Sequence, residues 1–475
     1  MTQTALPAPH AGSRRTFFGL FDADGWAWAG VKATFWFIVL IVMLGYIPDR
    51  AYYFTVQKTV DIGVLKWAPI NFCPPENETV PCPAPAGASL PWHPAPAELQ
   101  LPASRTDGVA AVIGSTYLYA GGSDGQAAST ATYISHVVGL GNLDKWAAAP
   151  AMPEARADAA SVVVGNTLYV IGGYGPDGKP TSTIYTLTVA NDGTVGAWKT
   201  DALALPAPRA GASAVAVSDG FVVLGGTDGT AATKSVWKSQ VDAKGVAGAL
   251  KEQYPLAEAN VDGYGAHVGD VIFVIGGRND KNEVVATVQQ MLVGGPKATV
   301  ADPNAIIASR VSVQTNLPGG RTNLAGFVAN GSIYVTGGSD GVGGRTETLW
   351  AIPDAKGVIP AWNHLAQTDL GEGIQGASGV AAGSYAFILG GQTSKGVTAG
   401  SARANMAPQQ PFFQVGLLGL TIPALKLDGE VGQQIGYLNA ATVGAVNFVI
   451  MILIGWAFNH KERTRELLGK LRRKG

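Results

Sequence analysis

The chain has 475 residues, 47% of them hydrophobic and only 14% charged, with 63 glycines and a formal net charge of −1. A charge balance this close to zero excludes nucleic acid as a partner of the bulk of the protein, and so small a charged share excludes a disordered chain. Two cysteines and six histidines are too few for a disulfide scaffold or a Cys/His metal cluster.

Residues 1–25 read as a cytoplasmic N-terminal segment. Ser13-Arg14-Arg15-Thr16-Phe17-Phe18 resembles the twin-arginine export motif, whereas Asp22, Asp24 and the lack of an A-x-A site suit plain membrane-anchor arginines. Both readings keep the N-terminus inside. From Trp26 to Ile47 only Lys32 is charged. A helix of this length rises about 33 Å, enough for a hydrocarbon core of about 30 Å, so a transmembrane helix is expected over 26–48. Residues 49–89 form an extracytoplasmic juxtamembrane linker. Its Pro-rich part holds Cys73 and Cys82, which an oxidising compartment would let pair as a disulfide.

The middle of the chain repeats. A double glycine closes an apolar run six times, at Gly121-Gly122, Gly172-Gly173, Gly225-Gly226, Gly276-Gly277, Gly337-Gly338 and Gly390-Gly391. The first glycines are 51, 53, 51, 61 and 53 residues apart, the interval of a repeat architecture. Other columns keep phase. Arg105, Arg156, Arg209 and Arg321 each stand 16 residues before the first glycine, with a proline three residues earlier. Tyr133, Tyr185, Trp237 and Trp350 follow the glycines at 12 or 13 residues, and Trp146, Trp198 and Trp362 at 25 or 26. Asp-Gly pairs at Asp124, Asp177, Asp228 and Asp340 punctuate strands as hairpin loops do. Each unit therefore reads as four short strands.

This pattern resembles the kelch repeat, each unit of which forms one blade of a β-propeller. The resemblance implies an all-β, six-bladed kelch-type β-propeller over 90–413; the apolar runs add one transmembrane α-helix on each side in sequence. Glycine is then needed where blades converge, and Tyr and Trp fill the wider outer gaps. Trp92 precedes the first Pro-x-x-Arg much as Trp146 and Trp198 precede theirs, so residues near 88–100 are expected to supply the last strand of the final blade. Asn260 and Ile374 replace the arginine in the fourth and sixth units, and the fifth gains ten residues near 294–305.

The resemblance also places the residues after Pro-x-x-Arg, and the loop after the glycines, on one face around a central channel. Here that face would carry Arg105, Asp107, Arg156, Asp158, Arg209, Asn260, Asp262, Arg278, Arg321, Asn323 and Gln375. Asp124, Tyr174, Asp228, Asp280 and Asp340 would join them from the loops. The set reads either as a hydrogen-bonding surface for a peptide, glycan or protein partner, or as ion pairs and hydrogen bonds between blades. The spacing of two in Arg105/Asp107 and Arg156/Asp158 puts each pair on one side of an extended strand. Asn260, Arg278 and Gln375 break the repeat and are the better candidates for specificity. No catalytic set, cofactor or metal site is expected: no cysteine falls within the repeats, and His136, His267 and His364 lie at different phases.

Residues 414–432 form an apolar juxtamembrane segment and 433–459 a second transmembrane helix. Gly436, Ala440 and Gly444 make a small-residue face on which another helix can pack, with Asn439 and Asn447 to hydrogen-bond across it. The tail, 460–475, is basic, which places it in the cytoplasm. Two spans then put both termini inside and the propeller outside, in an arrangement that leans towards a bacterial cell envelope. The expected role is that of a membrane-anchored, non-catalytic binding or scaffold subunit. Its partners would be membrane-embedded protein subunits and the lipid bilayer, with no nucleic acid. The alternatives are a carbohydrate-binding or sugar-modifying propeller, and a sensor signalling through the tail.

Overall fold

The computed structural model describes residues 87–405, short loop stretches apart, together with isolated positions between 16 and 36. Among the described residues, no helix is long and apolar enough to cross a membrane. Both expected spans fall almost wholly outside the described residues, as do Cys73, Cys82, Gly436, Ala440, Gly444, Asn447 and the basic tail.

The six repeats form six antiparallel sheets. The first strands of the successive blades are Thr106–Ile113, Ala160–Val164, Ser213–Val217, Tyr264–Val268, Ala325–Ala329 and Ser378–Ala382. Each packs on the first strand of the next blade, and the sixth packs on the first, so the ring is closed. The second strands, such as Gly220–Leu224, Val271–Ile275 and Tyr385–Leu389, are buried along their whole length. A sheet covered on both faces by neighbouring sheets has no solvent side, which is why these strands read as unbroken apolar runs rather than as alternating ones. The buried apolar side chains fall into six clusters, one for each junction between blades.

Closure follows the position of Trp92. His93–Pro94 pairs with the third strand of blade 6, Ser401–Asn405, with His93 opposite Arg403 and Pro94 opposite Ala402. The N-terminal end of the described ring thus completes its last blade. The Ala95 and Leu101 amides extend the seam by donating to the Ser401 and Ala399 carbonyls.

Large aromatics staple the outer, diverging parts of the blades. The indole N–H of Trp198 donates to Thr132 Oγ1 of blade 1 at 3.0 Å, and that of Trp92 to Thr348 Oγ1 of blade 5 at 2.8 Å. Trp146 and Trp362 reach back in the same way to the Leu99 and Thr315 carbonyls. Each staple combines a large apolar contact with one satisfied indole donor, fully buried at Trp198 and half-buried at the others. Near the opposite ends of the strands, Tyr169 Oη donates to the Gly245 carbonyl of blade 3, Gln290 Nε2 to Gly357 of blade 5, and Tyr334 Oη to Gly87. Gly87 therefore stands in blade 6 where Gly245 and Gly357 stand in theirs.

One sequence assignment moves. The ten-residue gain near 294–305 belongs to blade 4, because Ile306–Val311 pairs with Val288–Val293 as that blade's fourth strand. In the sequence it lies between the fourth and fifth glycine pairs, which is why it reads as part of the fifth unit.

Candidate functional site: the diglycine face

The second strands all end on one face of the ring, and there the repeated residues form concentric layers. The outermost layer is the arginine column. Arg156 is 2% exposed. Its guanidinium donates to Tyr185 Oη at 2.9 Å, to Thr183 Oγ1 and to Glu154 Oε2, and lies 4.8 Å from the centre of the Tyr185 ring. Arg209 donates to Ser235 Oγ and lies over Trp237. Arg321 donates to the Gly337 and Glu347 carbonyls, and Arg105 to Ser129 Oγ. Each arginine thus reaches into its own blade, between the second and third strands. Asn260 does the same work with a shorter arm, giving Nδ2–H to the Gly276 carbonyl at 2.6 Å. These five side chains tie together the strands of their own blades, so the expected side-chain bonds between blades are replaced by bonds within each blade.

The middle layer explains the double glycines. The amide of each second glycine donates to the carbonyl of the arginine-column residue in the next blade, over 2.6–2.8 Å, in all six blades: to Arg156, Arg209, Asn260, Arg321, Ile374 and Arg105. A Cβ on the first glycine would fall no more than 2.6 Å from that same carbonyl oxygen in every blade. Both glycines also have positive φ, so the seam demands glycine for space and for backbone conformation together.

The innermost layer lies two residues beyond the arginine column. Asp107, Asp158, Gly211, Asp262, Asn323 and Gly376 all have φ between 49° and 62°. Their peptides close a second ring. The amide of Asp158 donates to the Asp107 carbonyl, Gly211 to Asp158, Asp262 to Gly211, Asn323 to Asp262, Gly376 to Asn323, and Asp107 to Gly376, over 2.7–3.0 Å. The left-handed residue also overturns the expectation that each Arg/Asp pair shares one side of a strand. Two-residue alternation holds only for extended backbone; here the arginines run into the blades, and the aspartates stand on the axial ring.

The carboxylates of this inner ring approach one another. A Cβ on Gly211 would strike Asp262 Oδ1 and meet Asp158 Oδ2, and one on Gly376 would strike Asp107 Oδ1. The two glycines are therefore the gaps into which the acids lean. Burial pushes Asp107 up to about 6, opposed by the Thr106 hydroxyl that donates to it. Burial raises Asp158 well above the ordinary carboxylate range, and the charges of Asp262 and Asp107 raise it further. Asp262 is raised by burial and by Asp107, with Arg278 pulling the other way. The side chains of Asp158 and Asp262 interact directly, which raises Asp158 and partly offsets the rise of Asp262. Tyr174 lies within the field of both acids, its phenol raised by burial first and then by Asp158 and Asp262.

Arg278 and Gln375 sit one step out. Arg278 bridges Val261 and Gln375 bridges Gln392, in a backbone collar just beyond the glycines. The residue after the glycine pair alternates around this collar: small Ser123, Thr227 and Ser339 in blades 1, 3 and 5, and long Tyr174, Arg278 and Gln392 in blades 2, 4 and 6. The small ones accept the amides of Gly125, Gly229 and Gly341 and so fix the Asp-Gly turns. The loop aspartates are engaged in those turns too. Asp228 accepts from Thr230 and Ala231, which holds its carboxyl down to about 2, and Asp124 and Asp340 are lowered by equivalent bonds. Among the described residues, no group of three or more His, Cys, Asp or Glu is arranged to hold a metal ion.

The sequence columns had included the inner-ring residues but not their backbone state. The signal lay in the column itself, which holds only Asp, Asn and Gly, the residues that best tolerate positive φ.

The comparisons agree with this architecture. Residues 155–187, running from the arginine column to the third strand of blade 2, match the model of the Kelch motif. The solved structure of YjhT superposes with a TM-score of 0.50 at 15% identity, over 65% of this chain and 95% of that one; at that identity the likeness is one of fold. Among curated proteins, none matches the chain. The chain carries the kelch motif and is built as a six-bladed kelch-type β-propeller.

Proposed function

We propose that this protein is a non-catalytic binding subunit that engages a protein partner through the mouth of its central channel on the diglycine face. One observation carries the reading. The inner ring asks of its six residues only a left-handed backbone, which Gly211 and Gly376 supply. Asp107, Asp158, Asp262 and Asn323 supply it with added backbone strain, and the three acids add desolvation and mutual repulsion. Groups that work against the fold where they stand are candidates for function. A lysine, arginine or amino-terminal group of a partner would relieve both penalties. Arg278, Tyr174 and Gln375 would frame it.

The described ring begins and ends on the other face. Asn405 pairs with Tyr385 at the start of a second strand, and Gly87 lies against Ser332 at the start of another. We read the apolar runs at 26–48 and 433–459 as the anchors that hold the propeller at a membrane, as part of a larger membrane complex.

Affinity purification of the full chain from gently solubilised native membranes tests this. The wild type is expected to bring down a defined partner. The triple variant Asp107→Asn, Asp158→Asn, Asp262→Asn is expected to lose it at least tenfold while unfolding at the same or a higher temperature. A wild-type chain recovered alone as a monomer, or a triple variant with undiminished partner, would overturn the reading.

A further inference from the structure

We draw no further inference here: the strongest candidate, the carboxylate cluster of Asp107, Asp158 and Asp262 at the mouth of the central channel, belongs to the site already described, and nothing beside it among the described residues points to a particular ligand.

Discussion

The arginine position and the axial position lie two residues apart in each repeat, and the fold treats them in opposite ways. Arg156 is enclosed, stacked on Tyr185 and given oxygen partners, so its charge contributes to cohesion. Asp158 is buried beside the carboxylates of Asp262 and Asp107, which raise it further, so ionising it opposes cohesion. Recurrence alone does not separate a packing residue from a binding one. What separates them is whether the surroundings answer the group's charge and hydrogen-bonding capacity. On that criterion the arginine column belongs to the architecture and the acids do not.

The glycine seam marks the cohesive extreme of this contrast and carries the largest expected effect. Gly172→Val puts a branched side chain against the Arg209 carbonyl at positive φ. It should cost at least about 3–4 kcal/mol or abolish folding, measured by urea unfolding of the purified chain. Arg156→Ala leaves a cavity in place of a buried side chain and removes the donor to the Thr183 and Tyr185 hydroxyls, so about 2–4 kcal/mol should be lost in the same assay. Arg156→Lys should recover only part of it, because an ammonium cannot reproduce the planar fork.

The acids should behave in the reverse sense. Their folded pKa values lie above those of the unfolded chain. Below the unfolded value of about 4 both states are protonated and no penalty exists. As pH rises through the folded value, about 6 for Asp107, the folded state must ionise buried groups and loses stability. Stability should therefore fall between about pH 4 and pH 7 by on the order of 2 kcal/mol. Asp107→Asn should flatten that slope and raise the neutral-pH melting temperature. A slope unchanged in the variant would show that the acids are answered by groups outside this cluster. The smallest effect belongs to the outer staples. Trp198→Phe keeps most of the apolar contact but leaves Thr132 Oγ1 without its donor, and should cost about 1–2 kcal/mol.

The blade count, the strand order and the closing role of Trp92 were legible because each leaves a mark in one dimension. Sheets buried on both faces need apolar runs, their convergence needs glycine, and their divergence needs tryptophan. The left-handed turn after the arginine column was not legible from spacing, because Arg-x-Asp in a strand-rich chain looks extended until φ is known. Only the restriction of that column to Asp, Asn and Gly could have exposed it. The carbonyl seats at Gly245 and Gly357 were missed for a similar reason. Single glycines in loops of unequal length fall out of phase with the glycine pairs, although each follows the sequence Asp-Ala-Lys.

Gly87 standing in the seat of Gly245 and Gly357 has a consequence for where the polypeptide is open. In blade 3 the third strand ends at Gln240, five positions before Gly245, and in blade 5 at Ala351, six before Gly357. In blade 6 the third strand ends at Asn405 and the seat is filled by Gly87, so the break in the circle replaces one ordinary peripheral loop. A linker of about six residues, which spans at most some 20 Å, would suffice to join Asn405 to Gly87. Circularly permuted chains opened instead between Gln240 and Gly245 should then assemble the same wheel.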